Sequence, residues 1–323
     1  MSQQVTTIIS DNEAALSLKK RGLPRLFFAA MRPHQWVKNL FIFAPLLFGK
    51  KLTDPSAVGY SMLAFSVFCC LASGLYIFND WLDAEEDRAH PEKRNRPISS
   101  GALPVTVALF GAAVLALTGL WLAALIGLKF FFVAALYFIL TLGYCLALKR
   151  LIVLDAMTIA SGFVLRVVGG AVAVAVMPTH WLIVCTFLLA LFLAFTKRRQ
   201  ELLTLSESAG EHREVLSEYS VGYLEQVNNI IIGASIVCYA LYTVAPETIE
   251  RFGTDKLIYG TIFVVYGLLR YLALIKNAAY GGNPSKMLTQ DKPLLISVVG
   301  WAFYNAVIIY SETLQQIWFW IFR

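Results

Sequence analysis

The sequence predicts an all-α integral membrane protein of about nine transmembrane helices, and three observations predict it: composition, the spacing of apolar stretches, and the distribution of basic residues. Of 323 residues, 58% are hydrophobic and 15% charged, with a mean hydropathy of +0.65, far from the balance of a water-soluble globular chain. Stretches long enough to cross about 30 Å of hydrocarbon, roughly 20 residues each, recur near 39–55, 57–80, 103–127, 129–148, 152–176, 178–196, 223–245, 256–275 and 293–320. With nine alternating crossings, the N-terminus and the loops after the second, fourth, sixth and eighth share one face. That face holds 19 of the 27 Lys and Arg, and the opposite face holds six. The positive-inside rule makes the richer face cytosolic. The net charge of +6 is then a matter of topology, and no nucleic-acid partner is expected.

The first 25 residues are polar, with Lys19-Lys20-Arg21 and no apolar core behind them, so a cytosolic tail over 1–30 is expected rather than a cleaved signal peptide. From 31 to 323 no linker, low-complexity run or repeat divides the chain, which predicts a single membrane domain. The second stretch ends in Asn79-Asp80-Trp81-Leu82-Asp83, and the fourth ends in Tyr144 to Lys149 and Arg150. The fifth contains Arg166, the sixth runs into Lys197-Arg198-Arg199, and the eighth holds Arg270 six residues before Lys276. The ninth runs into Trp318-Phe319-Trp320-Ile321-Phe322, an interfacial belt. Cys69, Cys70, Cys145, Cys185 and Cys238 all fall inside apolar stretches without ligand spacing, and read as buried thiols. The long connections, 81–102, 197–222 and 276–292, are all cytosolic, and long loops on a rigid scaffold tend to carry function.

Asp80, Asp83 and Asp87 are spaced i, i+3, i+7, which on a helix keeps them within about 60° of one another. Asn79 lies beside them. Three carboxylates on one stripe repel unless a cation neutralises them, and hard oxygen ligands suit Mg²⁺ shared with phosphates; the plainer reading is a solvated helix end. Pro91 should stop this helix, and Arg88, Lys93, Arg94 and Arg96 crowd beside the acids. Positive-inside bias accounts equally for Lys93 and Arg96, whereas Arg94 stands one helical repeat beyond Asp87. His90 is a marginal diphosphate contact. Arg166 stands deep in an apolar stretch, where a charge is costly and usually lines a cavity; the other reading is snorkelling, or pairing with Asp155 or a carbonyl. Glu211-His212-Arg213 and Ser217-Glu218-Tyr219 suit a lid, and Gly281-Gly282-Asn283-Pro284 a turn.

The run Asn79-Asp80-Trp81-Leu82-Asp83-Ala84-Glu85-Glu86-Asp87 resembles the NDxxDxxxD signature of the UbiA superfamily of intramembrane prenyltransferases, and Tyr144-Cys145-Leu146-Ala147-Leu148-Lys149 resembles its second landmark. This resemblance implies a helical bundle around a central, cytosol-facing cavity. Typical aromatic prenyltransferases of the family carry a second acidic motif after helix 6, but this chain reads Thr196-Lys197-Arg198-Arg199-Gln200-Glu201 there. Arg32-Pro33-His34-Gln35-Trp36-Val37-Lys38-Asn39, Gly162-Phe163-Val164-Leu165-Arg166 and the Lys197-Arg198 pair resemble the superfamily's decaprenyl-phosphate phosphoribosyltransferase branch.

That branch resemblance implies Mg²⁺-dependent transfer of phosphoribose from phosphoribosyl diphosphate to a polyprenyl phosphate, in the bacterial inner membrane, feeding arabinose donors for envelope glycans. It implies a metal held by Asn79, Asp80, Asp83 and Asp87, with Asp80, Asp83 and Arg166 in the catalytic role. Lys38, Asn79, Arg94, Tyr144, Lys149, Lys197 and Arg198 are the expected substrate contacts, because two further phosphates need cations away from the acids. A homo-oligomer stays open. The competing readings are transfer of a polyprenyl chain to an aromatic acceptor, against which the missing acidic motif argues, and a transporter, which should show acids at the midplane rather than at one face.

Overall fold

A computed structural model describes residues 22–89, 93–205, 214–276, 287 and 290–311. His90, the Glu211-His212-Arg213 part of the expected lid, the Gly281–Pro284 turn and the Trp318–Phe322 belt lie outside the described residues. Among those described the chain is helical, without strands.

Helix α1 (Leu23–Ala30) falls in the segment expected to be tail, and its Leu26 and Ala30 are buried. A run of 3₁₀ turns follows (Pro33–Phe43), continued by the short α2 (Ala44–Phe48). Then come α3 (Pro55–Leu82), α4 (Ala84–Ala89), α5 (Val105–Ile126), α6 (Leu128–Leu146), α7 (Leu154–Ala173) and α8 (His180–Leu205). The remaining helices are α9 (Val221–Val244), α10 (Pro246–Phe252), α11 (Thr261–Lys276) and α12 (Lys292–Ile309). Eight of the described helices are long and apolar enough to cross a membrane, which makes this a multi-pass membrane protein. Asp54 starts α3 by accepting hydrogen bonds from the Ser56 and Ala57 amides at 3.0 and 3.2 Å, the usual way to satisfy amides at a helix start.

The difference from the nine expected lies at the first stretch, 39–55, which is no long α-helix. The 33–43 segment runs antiparallel to α3: Arg32 pairs with Asp80, Trp36 Nε1 donates to Ser73 Oγ at 3.0 Å, and Asn39 Nδ2 donates to Cys69 Sγ at 3.2 Å. Eleven residues at about 2.0 Å and five at about 1.5 Å give roughly 30 Å of rise, so the chain traverses the hydrocarbon thickness here in a narrower coil. An apolar window cannot distinguish the two coils, because hydropathy carries no information on pitch. The narrow coil lies hard against α7. A Cβ at Gly170 would meet the Ile42 carbonyl oxygen at 2.0 Å, so only glycine lets the two backbones approach this closely.

The best buried crossings are α3 and α7, each with 61% of its apolar window enclosed, against 17% for α5 and 22% for α6. They are therefore the centre of the bundle, and α5 and α6 present Phe110, Leu117, Trp121, Phe132 and Ile139 outward, as lipid-facing helices do. One core joins Phe68, Leu71 and Leu75 of α3 to Ile42 and to Phe130 and Tyr137 of α6. A second joins Phe192 and Phe195 of α8 to Leu224 and Ile231 of α9 and to Leu268 and Tyr271 of α11. Functional side chains gather where α3, α6, α7 and α8 meet the narrow coil.

Candidate active site

The acids do not ride one continuous helix. Helix α3 stops at Leu82, Asp83 leaves helical geometry (φ −90°, ψ 7°), and α4 resumes at Ala84. The Asp83 amide still donates to the Asn79 carbonyl at 2.9 Å and the Asp87 amide to the Asp83 carbonyl at 2.8 Å, so helical spacing survives the break. Asp80 and Asp87 accordingly share one guanidinium: Arg96 Nη1 lies 3.1 Å from Asp80 Oδ1 and also donates to Asp87 Oδ2. Arg32 closes on Asp80 from the other side, and Lys149, delivered by the 3₁₀ turn after α6, pairs with Asp83. Asp80 and Asp87 are buried. Three carboxylates thus face three cations, the neutralisation that charges held out of water require.

Asn79 completes the cluster. Its Nδ2 donates to Asp83 Oδ2 at 2.7 Å, while its Oδ1 is buried with no donor, an arrangement rare enough to need a cause. Among the described residues no three Asp, Glu, His or Cys side chains converge on one point, because each acid leans toward its cation. Mg²⁺ needs only one or two carboxylates, with substrate phosphate and water for the rest. Hard oxygens at Asp80, Asp83 and Asp87, with the orphaned oxygen of Asn79, fit that demand, and phosphate oxygens would replace the carboxylates on Arg32, Arg96 and Lys149. Arg32 holds its place at φ 55°, a left-handed conformation that costs a non-glycine residue about 1–2 kcal/mol.

Below the acids, toward the middle of α7, sits Arg166. Its Nε donates to Asn39 Oδ1 at 2.7 Å, Nη1 to the Gly162 carbonyl at 2.9 Å and Nη2 to the Tyr137 hydroxyl at 2.8 Å. The rings of Tyr137 and Phe163 lie 4.7 and 5.3 Å from its guanidinium carbon. The charge is caged by neutral groups, and Asp155 is not among these partners. Lys38 stands next to Asn39 and is partly buried. The charges acting on it are those of Arg166, Arg32 and Arg198, all cationic.

The basic trio after the sixth crossing is placed differently from the expectation. Lys197, Arg198 and Arg199 form the last turns of α8 rather than a loop. Arg198, expected as a substrate contact, is 1% exposed and reaches Asp155 Oδ2 at 2.6 Å, Glu201, and the Tyr144 hydroxyl at 3.4 Å. Arg199 pairs with Glu225 at 2.6 Å, and Lys197 stands 3.7 Å from Glu201. Asp155 also accepts from the Tyr219 hydroxyl at 2.8 Å, which itself accepts the Val153 amide at 2.7 Å. One guanidinium therefore ties together the ends of α6, α7 and α8 and the segment leading into α9. The α6–α7 turn held in this way is the one that carries Lys149. Arg94 sits partly buried in the Lys93–Asn95 turn beside the cluster.

Sequence reasoning left out Arg32 as a partner of the acids, weighed Arg96 evenly between topology and phosphate contact, considered Asp155 only as a partner of Arg166, and placed Tyr219 in a lid, whereas Tyr219 is buried against Asp155. Asp155 had a usable signal, a carboxylate just inside an apolar stretch. Arg32 had none, since its partner is 48 residues away.

Comparison with known proteins agrees with this geometry. The sequence model of the UbiA prenyltransferase family matches residues 40–277. The chain is 34% identical over 320 residues to decaprenyl-phosphate phosphoribosyltransferase of Corynebacterium glutamicum, covering 96% of this chain and 93% of that one. It is 32% identical to the enzyme of the same name from Mycolicibacterium smegmatis, covering 84% and 88%. The fold superposes on a UbiA homologue from Archaeoglobus fulgidus bound to GPP and Mg²⁺ with a TM-score of 0.68 at 20% identity, covering 88% of this chain and 99% of that one. A buried acid cluster at the end of a central helix, a shared bundle and full-length sequence likeness converge on one conclusion: this chain belongs to the UbiA prenyltransferase family.

Proposed function

We propose that the protein transfers 5-phosphoribose from phosphoribosyl diphosphate to a polyprenyl phosphate of decaprenyl type, releasing diphosphate, at the cytosolic face of a bacterial inner membrane. One observation carries the reading. Four oxygen-bearing side chains, Asn79, Asp80, Asp83 and Asp87, stand against Arg32, Arg96 and Lys149 at one end of α3, a donor set for a metal-bound diphosphate with cations ready for its oxygens. Likeness over nearly the whole chain to two decaprenyl-phosphate phosphoribosyltransferases supports the choice of substrates.

Asp80 and Asp83, with Asn79 and Asp87, would hold Mg²⁺, which when bound neutralises charge on the departing diphosphate. Arg32, Arg96 and Lys149 would bind diphosphate oxygens in place of their carboxylates. Charge develops at C1 of the ribose as the bond to diphosphate lengthens, while the cations that hold the leaving group neutralise its growing charge. The lipid phosphate attacks C1 from the opposite face. A phosphate monoester is largely dianionic at neutral pH, so no protein base is needed, and positioning supplies much of the acceleration. Arg198 acts here as a positioning residue, holding the turn that carries Lys149.

Labelled phosphoribosyl diphosphate, supplied with polyprenyl phosphate and Mg²⁺ to the purified protein, should give label in the organic phase. Transfer found only from a prenyl diphosphate to an aromatic acid such as 4-hydroxybenzoate would overturn the proposal in favour of prenyl transfer.

A further inference from the structure

The narrow coil at 33–43 sorts its side chains by threes. Trp36, Asn39 and Ile42 form one stripe and bond to or pack on α3 and α7. His34, Val37 and Leu40 form a second stripe, and all three are exposed. Gln35, Lys38 and Phe41 form the third and are partly buried. Three residues per turn make positions three and six apart eclipse; in an α-helix residues six apart would diverge by about 120°. Within the coil Gln35, Lys38 and Phe41 therefore point the same way, with Lys38 about 10 Å along from Pro33 at ~2.0 Å per residue.

The charges nearest Lys38 are the guanidiniums of Arg166, Arg32 and Arg198; Arg32 and Arg198 hold carboxylates of their own, and Arg166 holds only neutral groups. The Phe41 ring, one turn on, packs edge-on against Phe163 at 5.0 Å, and Phe163 lies against the guanidinium of Arg166. Asn39 Oδ1 holds Arg166 Nε. Lys38 and Arg166 are thus brought to one level of the bundle. Arg166 bonds only to neutral acceptors in the contacts above, and Lys38 has no ion pair or hydrogen bond among the described residues. Two uncompensated cations inside a membrane protein are costly; unlike Arg32, Arg96, Lys149 and Arg198, this pair has no carboxylate. Two N–H groups of the five on Arg166 stay available. The level also lies deep: Trp36 and Asn39 bond to Ser73 and Cys69, roughly 10 and 16 Å below Asp80 along α3.

We propose that Lys38 and Arg166 form the subsite for the phosphate at the far end of the donor, the 5-phosphate of phosphoribosyl diphosphate, and so select a donor phosphorylated at both ends over one with an apolar tail. This rests on the transfer proposed above. A donor entering from the cytosolic mouth would leave its diphosphate at the acids and carry its other end inward, toward these cations. A prenyl diphosphate bound in the same way would press hydrocarbon against two desolvated charges.

The test compares phosphoribosyl diphosphate with ribosyl 1-diphosphate, which lacks the 5-phosphate, in the full-length enzyme and in Lys38→Met and Lys38→Arg. Lys38 holds no partner that its loss would orphan, and monodispersity in detergent checks the fold. Lys38→Met should raise KM for phosphoribosyl diphosphate roughly 10- to 100-fold, the value of one charged hydrogen bond, with KM for polyprenyl phosphate unchanged. Its preference for the 5-phosphorylated donor should shrink by the same factor, and Lys38→Arg should retain most of it. A rise in KM for the lipid instead, or an undiminished preference in Lys38→Met, overturns the subsite. Failure of the wild type to transfer ribose from either donor overturns the transfer proposal itself, a distinct result.

Discussion

Breaking the buried pair between Arg198 and Asp155 should cost more stability than any other single charge removal at the acid-cluster end of the bundle. Arg198 and Asp155 are 1% and 0% exposed, at 2.6 Å, whereas the Glu201 side chain on the same guanidinium is 22% exposed. Arg198→Met leaves an ionised carboxylate enclosed without its guanidinium, a change worth about 3–5 kcal/mol. Asp155→Asn keeps an oxygen for the Tyr219 hydroxyl and leaves Arg198 its Glu201, so about 1–3 kcal/mol is expected. Glu201→Gln, with water at hand, should cost less than either. The double variant Asp155→Asn/Arg198→Met removes both charges together and should be less destabilised than the two single effects added, by about 1–3 kcal/mol. Thermal unfolding in detergent, followed by a thiol-reactive dye at the buried Cys69 and Cys145, ranks the four proteins. Effects that add within about 0.5 kcal/mol would mean the two groups do not interact, and the assignment of Arg198 to a structural tie would fall.

Asp80→Asn and Asp83→Asn should each lower transfer by about 100-fold or more and weaken the Mg²⁺ dependence while leaving the protein monodisperse; full activity in either removes it from the metal site. Gly170→Ala sets a methyl group 2.0 Å from the Ile42 carbonyl and should destabilise by about 1–3 kcal/mol, seen as a lowered unfolding midpoint; an unchanged midpoint would show that the coil and α7 can separate freely. The hydrogen bond from Arg270 holds the Asp291 carboxyl below the usual carboxylate range. The stability it adds is therefore present above the ordinary aspartate range and lost as pH falls through the lowered value. Asp291→Asn should flatten that acid limb of the unfolding midpoint, and an identical pH profile would remove Asp291 as its source.

What the sequence made legible follows the physics of each signal. Hydropathy and basic asymmetry suffice for a multi-pass helical bundle, because the bilayer imposes length and charge rules on every crossing. The acids Asp80, Asp83 and Asp87 were legible from spacing, and the break at Asp83 did not scatter them because the amide ladder continues across it. The cations were harder. Lys197 to Arg199 read as a basic pole beside one acid, Glu201, because two further neutralisers, Asp155 and Glu225, lie far along the chain, and no periodicity links residues brought together by packing. Arg32, beside a proline in the opening motif, showed nothing of its reach to Asp80. Arg166 was legible as a charge in the wrong solvent, but the cage of Asn39, Gly162 and Tyr137 around it was not.

The coil at 33–43 leaves the chain sensitive to counting as well as to chemistry. Its three stripes repeat every third residue, so deleting one residue between Pro33 and Val37 would shift every later side chain by one stripe, carrying Val37 and Leu40 to the face that packs on α3 and α7 and Lys38 to the outward face. Such a lesion leaves every carboxylate, lysine and arginine in the chain, yet it would misplace all the side chains that this stretch aims inward. In this stretch the frame of the side chains is itself a functional property.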